Sequence, residues 1–287
     1  MSRRMLPKQF KVLPACYMII ILISSAAAVT LYPSYSVAAA EDQGVPPGIT
    51  RVTVIHETGG SRTEVDHGPG KIPPPRQEVS YQCTTGAGTD QCDTNSYIGK
   101  KWFVLPVHYS VNLQNAIDDG HFEAAVKAGS QVWEDDPNSS FDATYDGSTN
   151  LKASGAEPRG RMDGNNVVDW GSTKRFGSTV IAVTVYWYYT ATGQIVEADM
   201  RFNQKLPWSS NGGPSAISNP DNTSGDCTAF DVQNIAAHEF GHFNAALKDL
   251  KDASEIKLTM YGYGAKCELQ KRTLGYGDQL SIRSAHS

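Results

Sequence analysis

The sequence predicts an α+β fold in which helices pack on a twisted mixed β-sheet. Three observations predict it. From residue 97 onward, strand-like and helix-like stretches alternate in the order β-α-β-β-β-β-α, which suits one sheet with helices gathered against it. "HFEAAVKAGSQVWED" carries Phe122, Ala125, Val126, Gly129, Val132 and Trp133 at helical spacing, the mark of an amphipathic helix. "STVIAVTVYWYYTATGQIVEADMRFN" reads as a buried strand, a turn at Thr192-Gly193 and an alternating second strand.

Taken in order, residues 1–40 differ from the rest. Arg3, Arg4, Lys8 and Lys11 precede an apolar run from Val12 to Val29, and Ala38-Ala39-Ala40 follows. This is the pattern of a secretory signal removed after Ala40, so the mature protein is expected outside the cell. A retained membrane anchor is the alternative, because the run is long enough to span a bilayer. Residues 41–95 are rich in Pro, Gly and Thr, with "GVPPG", "GPGKIPPPR" and "CTTGAGTDQC", and only "ITRVTVI" is apolar. They read as a linker or short prosegment, with His56 and His67 expected as surface loop residues. Residues 96–287 read as the folded domain. In it "WFVLPVHYSVN" is a strand, the amphipathic helix follows, and "SSFDATYDG" and "NNVVDWGS" are two further strands. After the hairpin, the loop "LPWSSNGGPSAISNPDNTSGDC" leads to the helix "FDVQNIAAHEFGH".

Charge and cysteines narrow the function classes. Loss of residues 1–40 removes four positive charges and no acidic ones, moving the formal charge from −5 to −9. An acidic chain offers no electrostatic basis for nucleic acid or anionic membranes as partners; a membrane enters only if the N-terminal segment stays uncleaved. A monomer is expected. Cys83, Cys92, Cys227 and Cys267 remain after residue 40, and an even count outside the cell suggests two disulfides with three possible pairings. Cys83–Cys92 and Cys227–Cys267 are the expected pairs, and no C-x-x-C spacing supports a cysteine metal site.

The chemistry gathers in "AAHEFGHFNAALKDL", residues 236–250. Residues four apart share a helix face, so His238 and His242 can present two imidazoles to one ion. Glu239 is turned about 100° from His238, beside the metal, where a carboxylate can take a proton from activated water. Downstream comes "LTMYGYG", a methionine in a Gly-rich turn, then "KRTLGYGDQLSI".

With these motifs the chain, from about Tyr97 to its C-terminus, resembles the metzincin zinc metalloendopeptidases, in particular matrixin-like secreted proteases. The resemblance implies a zincin/metzincin-like sheet with an active-site helix and a Met-turn. It implies zinc held by His238 and His242, Glu239 as general base, and Met260 as an apolar floor beneath the metal. "IVEADMRF" would be the edge strand on which a protein or peptide substrate adds as another strand. Tyr261 and Tyr263 would line the specificity pocket or stabilise an oxyanion, or else simply pack.

The chain departs from the family at the third ligand. Where H-E-x-x-H-x-x-G-x-x-H places Gly and His, it has Ala245 and Lys248. An ammonium has no lone pair to donate, and Asp249 follows one residue later. Asn244 tolerates the left-handed conformation that could end the helix, letting Asp249 complete a His₂Asp set. Asp252 and Glu255 are lesser candidates, and Glu268 is the candidate of a gluzincin arrangement. Asp163, Asn165 and Asp169 in "RMDGNNVVD" could hold calcium, but the spacing fits a polar Asx turn better. Two functions follow: a secreted zinc endopeptidase, or a zincin-fold binding or scaffold protein that has lost catalysis.

Overall fold

The run VIAVTVYWYY is apolar from end to end, so the strand it forms needs cover on both faces. The computed structural model describes residues 45–67, 92–211 and 225–287. The chain forms β1 (Ile49–Glu57), β2 (Arg62–His67), β3 (Lys101–Trp102), β4 (Val107–Asn112), α1 (Phe122–Glu134), β5 (Ala143–Ser148) and β6 (Val167–Gly171). It continues through β7 (Val180–Tyr189), β8 (Gln194–Asn203), β9 (Trp208–Ser209), β10 (Phe230–Asp231), α2 (Val232–Ala245) and α3 (Tyr276–Ala285). The predicted signal segment 1–40 and Cys83, the expected partner of Cys92, lie outside the described residues.

The fold is α+β with a mixed sheet, as the segment order predicts. The sheet runs β2-β1-β7-β8-β6-β4-β5, with β3 beside the start of β8. β1 is antiparallel to β2 and β7, and β7 to β8, whereas β8, β6, β4 and β5 are parallel. One face packs on α1 and α2 through Val52, Val54, Trp170, Met200 and Phe202. The other buries Ile49, Ile55, Val183, Val185 and Trp187 against Ala153 and Ala156. The two helices meet at Gly129, where a Cβ would stand 2.6 Å from that of Ala236. Trp133 Nε1 donates to Ala237 O across the same contact. Cys227 and Cys267 are bonded, closing a loop around α2. Among the described residues no helix is long and apolar enough to cross a membrane.

Two expectations are corrected. β8 is not an edge: it is hydrogen-bonded to β7 on one side and β6 on the other. Its alternating Glu197, Asp199 and Arg201 are all buried. The segment at 153–167 covers them with partners. Asp163 and Gly164 N–H groups donate to Glu197, Gly155 and Val167 donate to Asp199, and Arg201 pairs with Asp169.

The second correction concerns residues 41–95. Residues 49–67 are not linker but a hairpin of the main sheet. β1 lies along β7 from Ile49 opposite Tyr189 to Glu57 opposite Val180. β7 is therefore interior to the sheet, with the chain's own N-terminal hairpin along it, and the order ends on β2 and β5.

Candidate metal centre

Helix α2 starts at Asp231, whose carboxylate accepts the Asn234 N–H at 2.7 Å and also pairs with buried Arg272. Every residue from Val232 to Ala245 is buried. Such a helix sits in the core and is fixed on all sides. It is a rigid mount for the two histidines one turn apart.

Both imidazoles are held through Nδ1. His238 Nδ1 lies 2.7 Å from Thr259 O, and His242 Nδ1 lies 2.6 Å from Leu247 O. A carbonyl only accepts, so each Nδ1 carries the proton and each Nε2 keeps its lone pair. The two Nε2 atoms stand 3.2 Å apart. Asp249 Oδ1 lies 3.0 Å from that of His238 and 3.4 Å from that of His242. With both rings neutral, three buried lone-pair donors thus face one another.

That arrangement fits a small cation. A tetrahedral ion with bonds of about 2.0–2.1 Å spaces its donors by about 3.3 Å, and the three separations here bracket that spacing. Asp249 Oδ1 pairs with the two imidazoles themselves. The electrostatics agree in sign. Burial and then the neighbouring His56 push the His238 imidazole down to about 4. Burial also opposes charge on His242, but Asp249 outweighs it and raises that ring to about 9. Asp249 is held well below the usual carboxylate range by His242 and His238 despite its burial. The site favours one positive charge beside Asp249.

Asp249 arrives by a route that differs in detail from the expected one. The helix does not end at Asn244, which is buried within it; the left-handed residue is Ala246, with φ 48°. The N–H groups of Ala246 and Leu247 return to His242 O and Gly241 O, closing the helix end. Lys248 N–H then donates to Ser96 O, and Leu250 N–H donates to Met260 O. Asp249 is thereby turned inward. Gly262 makes room for it, since a Cβ there would stand 2.9 Å from that of Asp249. The other candidate acids are engaged elsewhere. Asp252 and Glu255 form a reciprocal cap on a short helical turn, and Glu268 pairs with Lys271.

Glu239 points toward the sheet, its carboxylate within 4.8 Å of donor atoms of His56 and His238. Its Oε2 accepts the Thr184 hydroxyl, while Oε1 makes no hydrogen bond among the described residues. Burial raises its carboxyl, but His56 and the two helix imidazoles outweigh that and hold it below the ordinary value. Met260 is fully buried, its sulfur against Gly241, the residue before His242. Tyr261 and Tyr263 lie with ring centroids 5.0 Å apart in the turn beyond it. Asp163 forms the expected Asx turn with Asn165 N–H, and Asp169 is bound to Arg201.

One residue of the site escaped the sequence reading. His56, expected on the surface, is fully buried, 4.3 Å from His238 between ring centroids and 3.3 Å through Nδ1 from Glu239 Oε1. The available signal was the period-two pattern of "RVTVIHE", which sets His56 on the same face as Val52 and Val54. No protein-family model matches the chain, and no curated protein matches it.

Proposed function

We propose that the chain is a secreted zinc-dependent endopeptidase acting on protein or peptide substrates. The observation that carries this is the convergence of His238 Nε2, His242 Nε2 and Asp249 Oδ1 with a buried carboxylate, Glu239, on the same helix. Two imidazoles and one carboxylate suit zinc, whereas calcium and magnesium take oxygen donors. When bound there, zinc supplies a Lewis acid that polarises water and a peptide carbonyl.

The chain's own residues supply the rest. Thr259 O and Leu247 O fix the orientation and tautomer of the two rings. Thr184 holds one oxygen of Glu239 and leaves Oε1 to take a proton from the attacking water and return it to the leaving amine. β7, like β8, is hydrogen-bonded on both sides, so neither strand offers an extended substrate free main-chain groups while the N-terminal hairpin is paired.

A non-catalytic zincin-fold binding protein is the second reading, favoured by β1 occupying the side of β7 away from β8. Cleavage of an unfolded protein decides between them. The parent should cleave in a chelator-sensitive way. Glu239→Gln should keep zinc and lose at least about a hundredfold in turnover, the lower range for general acid–base catalysis. Equal turnover by parent and variant would sink the endopeptidase reading.

A further inference from the structure

Both carboxylate oxygens of Glu239 are met from the sheet, by side chains of two neighbouring strands. Thr184 of β7 takes Oε2, and His56 of β1 brings Nδ1 to 3.3 Å from Oε1, all three side chains fully buried. The register puts them together. Ala182 and Thr184 share one face of β7, and His56 is the residue opposite Ala182. The pairing then slips between His56 and Glu57; irregularities of this kind re-aim side chains and gather beside active sites.

Neither His56 Nδ1 nor Glu239 Oε1 has another polar partner among the described residues. A buried donor or acceptor left unmatched is costly, so the two atoms serve each other. An ionised carboxylate only accepts, which puts a proton on Nδ1. The ring is confined on its other sides. It lies 4.3 Å from that of His238 between centroids, and a Cβ on Gly264 would stand 2.9 Å from its Nε2. Oε1 has two lone pairs, so it can accept from His56 and still face water with the other.

We propose that His56 is a positioning residue for Glu239, its Nδ1–H holding Oε1 as the Thr184 hydroxyl holds Oε2. β1 is then part of the active site and not a leader to be shed. The inference rests on the endopeptidase reading and gives His56 no contact with metal or substrate.

Variants of the zinc-loaded full chain, assayed on an unfolded protein, test it. His56→Leu removes the donor, whereas His56→Asn keeps an amide N–H near the place of Nδ1. The leucine variant should lose about tenfold in kcat, the lower end for a hydrogen bond to a charged group, with KM and zinc content near those of the parent. The asparagine variant should recover most of that loss. Nitrogen-15 histidine labelling adds a readout apart from turnover. It should show a slowly exchanging, far-downfield N–H proton that is absent from both His56 variants and displaced in Glu239→Gln. A leucine variant within about twofold of the parent, or equal losses in both variants with KM raised, would overturn the role. If the leucine variant fails to fold, the proton signal decides, and one unmoved in Glu239→Gln would overturn the pair. A parent that binds zinc and cleaves nothing would sink the endopeptidase reading and this role with it, while the signal would still report the pair.

Discussion

Thr184 reaches from the middle of β7 to helix α2, and its hydroxyl donates to Glu239 Oε2 at 2.5 Å, both side chains fully buried. The bond engages Oε2, while Oε1 lies 3.3 Å from His56 Nδ1. Thr184→Val keeps the shape of the side chain and removes the donor. A hydrogen bond to a charged group contributes about 1.5–3 kcal/mol, so cleavage should fall about tenfold to a hundredfold with zinc content unchanged. A variant within twofold of the parent would show that Glu239 is oriented by other contacts.

Asp249 and Lys248 should separate in a zinc titration at fixed pH. Asp249→Ala removes an anionic donor 3.0 Å from His238 Nε2. Loss of a partner that merely supports a ligand costs about 10–100-fold in affinity, and loss of a ligand itself should exceed that. Lys248→Ala should leave affinity near that of the parent. Equal affinities for the two variants would mean that the site is closed by another residue.

The buried acids of β8 predict a pH dependence of stability. Burial, followed by the neighbouring Asp199, pushes the Glu197 carboxyl up to about 9. Folded protein then holds a proton that the unfolded chain releases near the ordinary glutamate value. Stability is fully present below that value and is lost as pH rises through about 9. Glu197→Gln can still accept the Asp163 and Gly164 N–H groups but does not titrate. Its melting temperature, measured against the parent in chelator, should gain on the parent between pH 5.5 and 8.5. Parallel curves would show that Glu197 stays ionised, held so by its backbone donors.

The disulfide should matter to metal as well as to fold. Cys227 and Cys267 are 40 residues apart and enclose α2 and Asp249. In the loop-entropy account a closure of this length contributes about 4 kcal/mol. The double serine variant should unfold at lower denaturant and release zinc over the same transition. Unchanged midpoints would show that α2 needs no clamp beyond its packing.

Much of this molecule was legible because its signals are local. The helical spacing of Phe122 to Trp133, the i, i+4 histidines and the apolar run of β7 each declare their element within a dozen residues. What was hidden is non-local. β8 alternates like an edge strand, and nothing in Glu197, Asp199 or Arg201 announces that residues 153–167 will cover them. β1 finds its partner more than a hundred residues away, and the Pro- and Gly-rich stretch around it masks nine residues of good strand sequence. Asp249 was favoured from chemistry and spacing, one residue past the position of the missing histidine, over Asp252, Glu255 and Glu268. The turn that delivers it was assigned to Asn244 by propensity, whereas burial keeps Asn244 in the helix and leaves the left-handed position to Ala246.

Both helix histidines are oriented by peptide carbonyls, at Thr259 and Leu247, and not by side chains. Substitution at 247 or 259 therefore leaves the acceptors in place, which makes ring orientation robust to mutational drift. On the proposed metal reading, position 249, the carboxylate of the set, is the place where a substitution would change metal preference. Asp249→Cys would turn a borderline site toward softer ions, and Asp249→His toward an all-imidazole one. If the centre holds a metal as proposed, ring orientation and ligand identity would then be set by different parts of the chain, and one substitution would suffice to retune the ion.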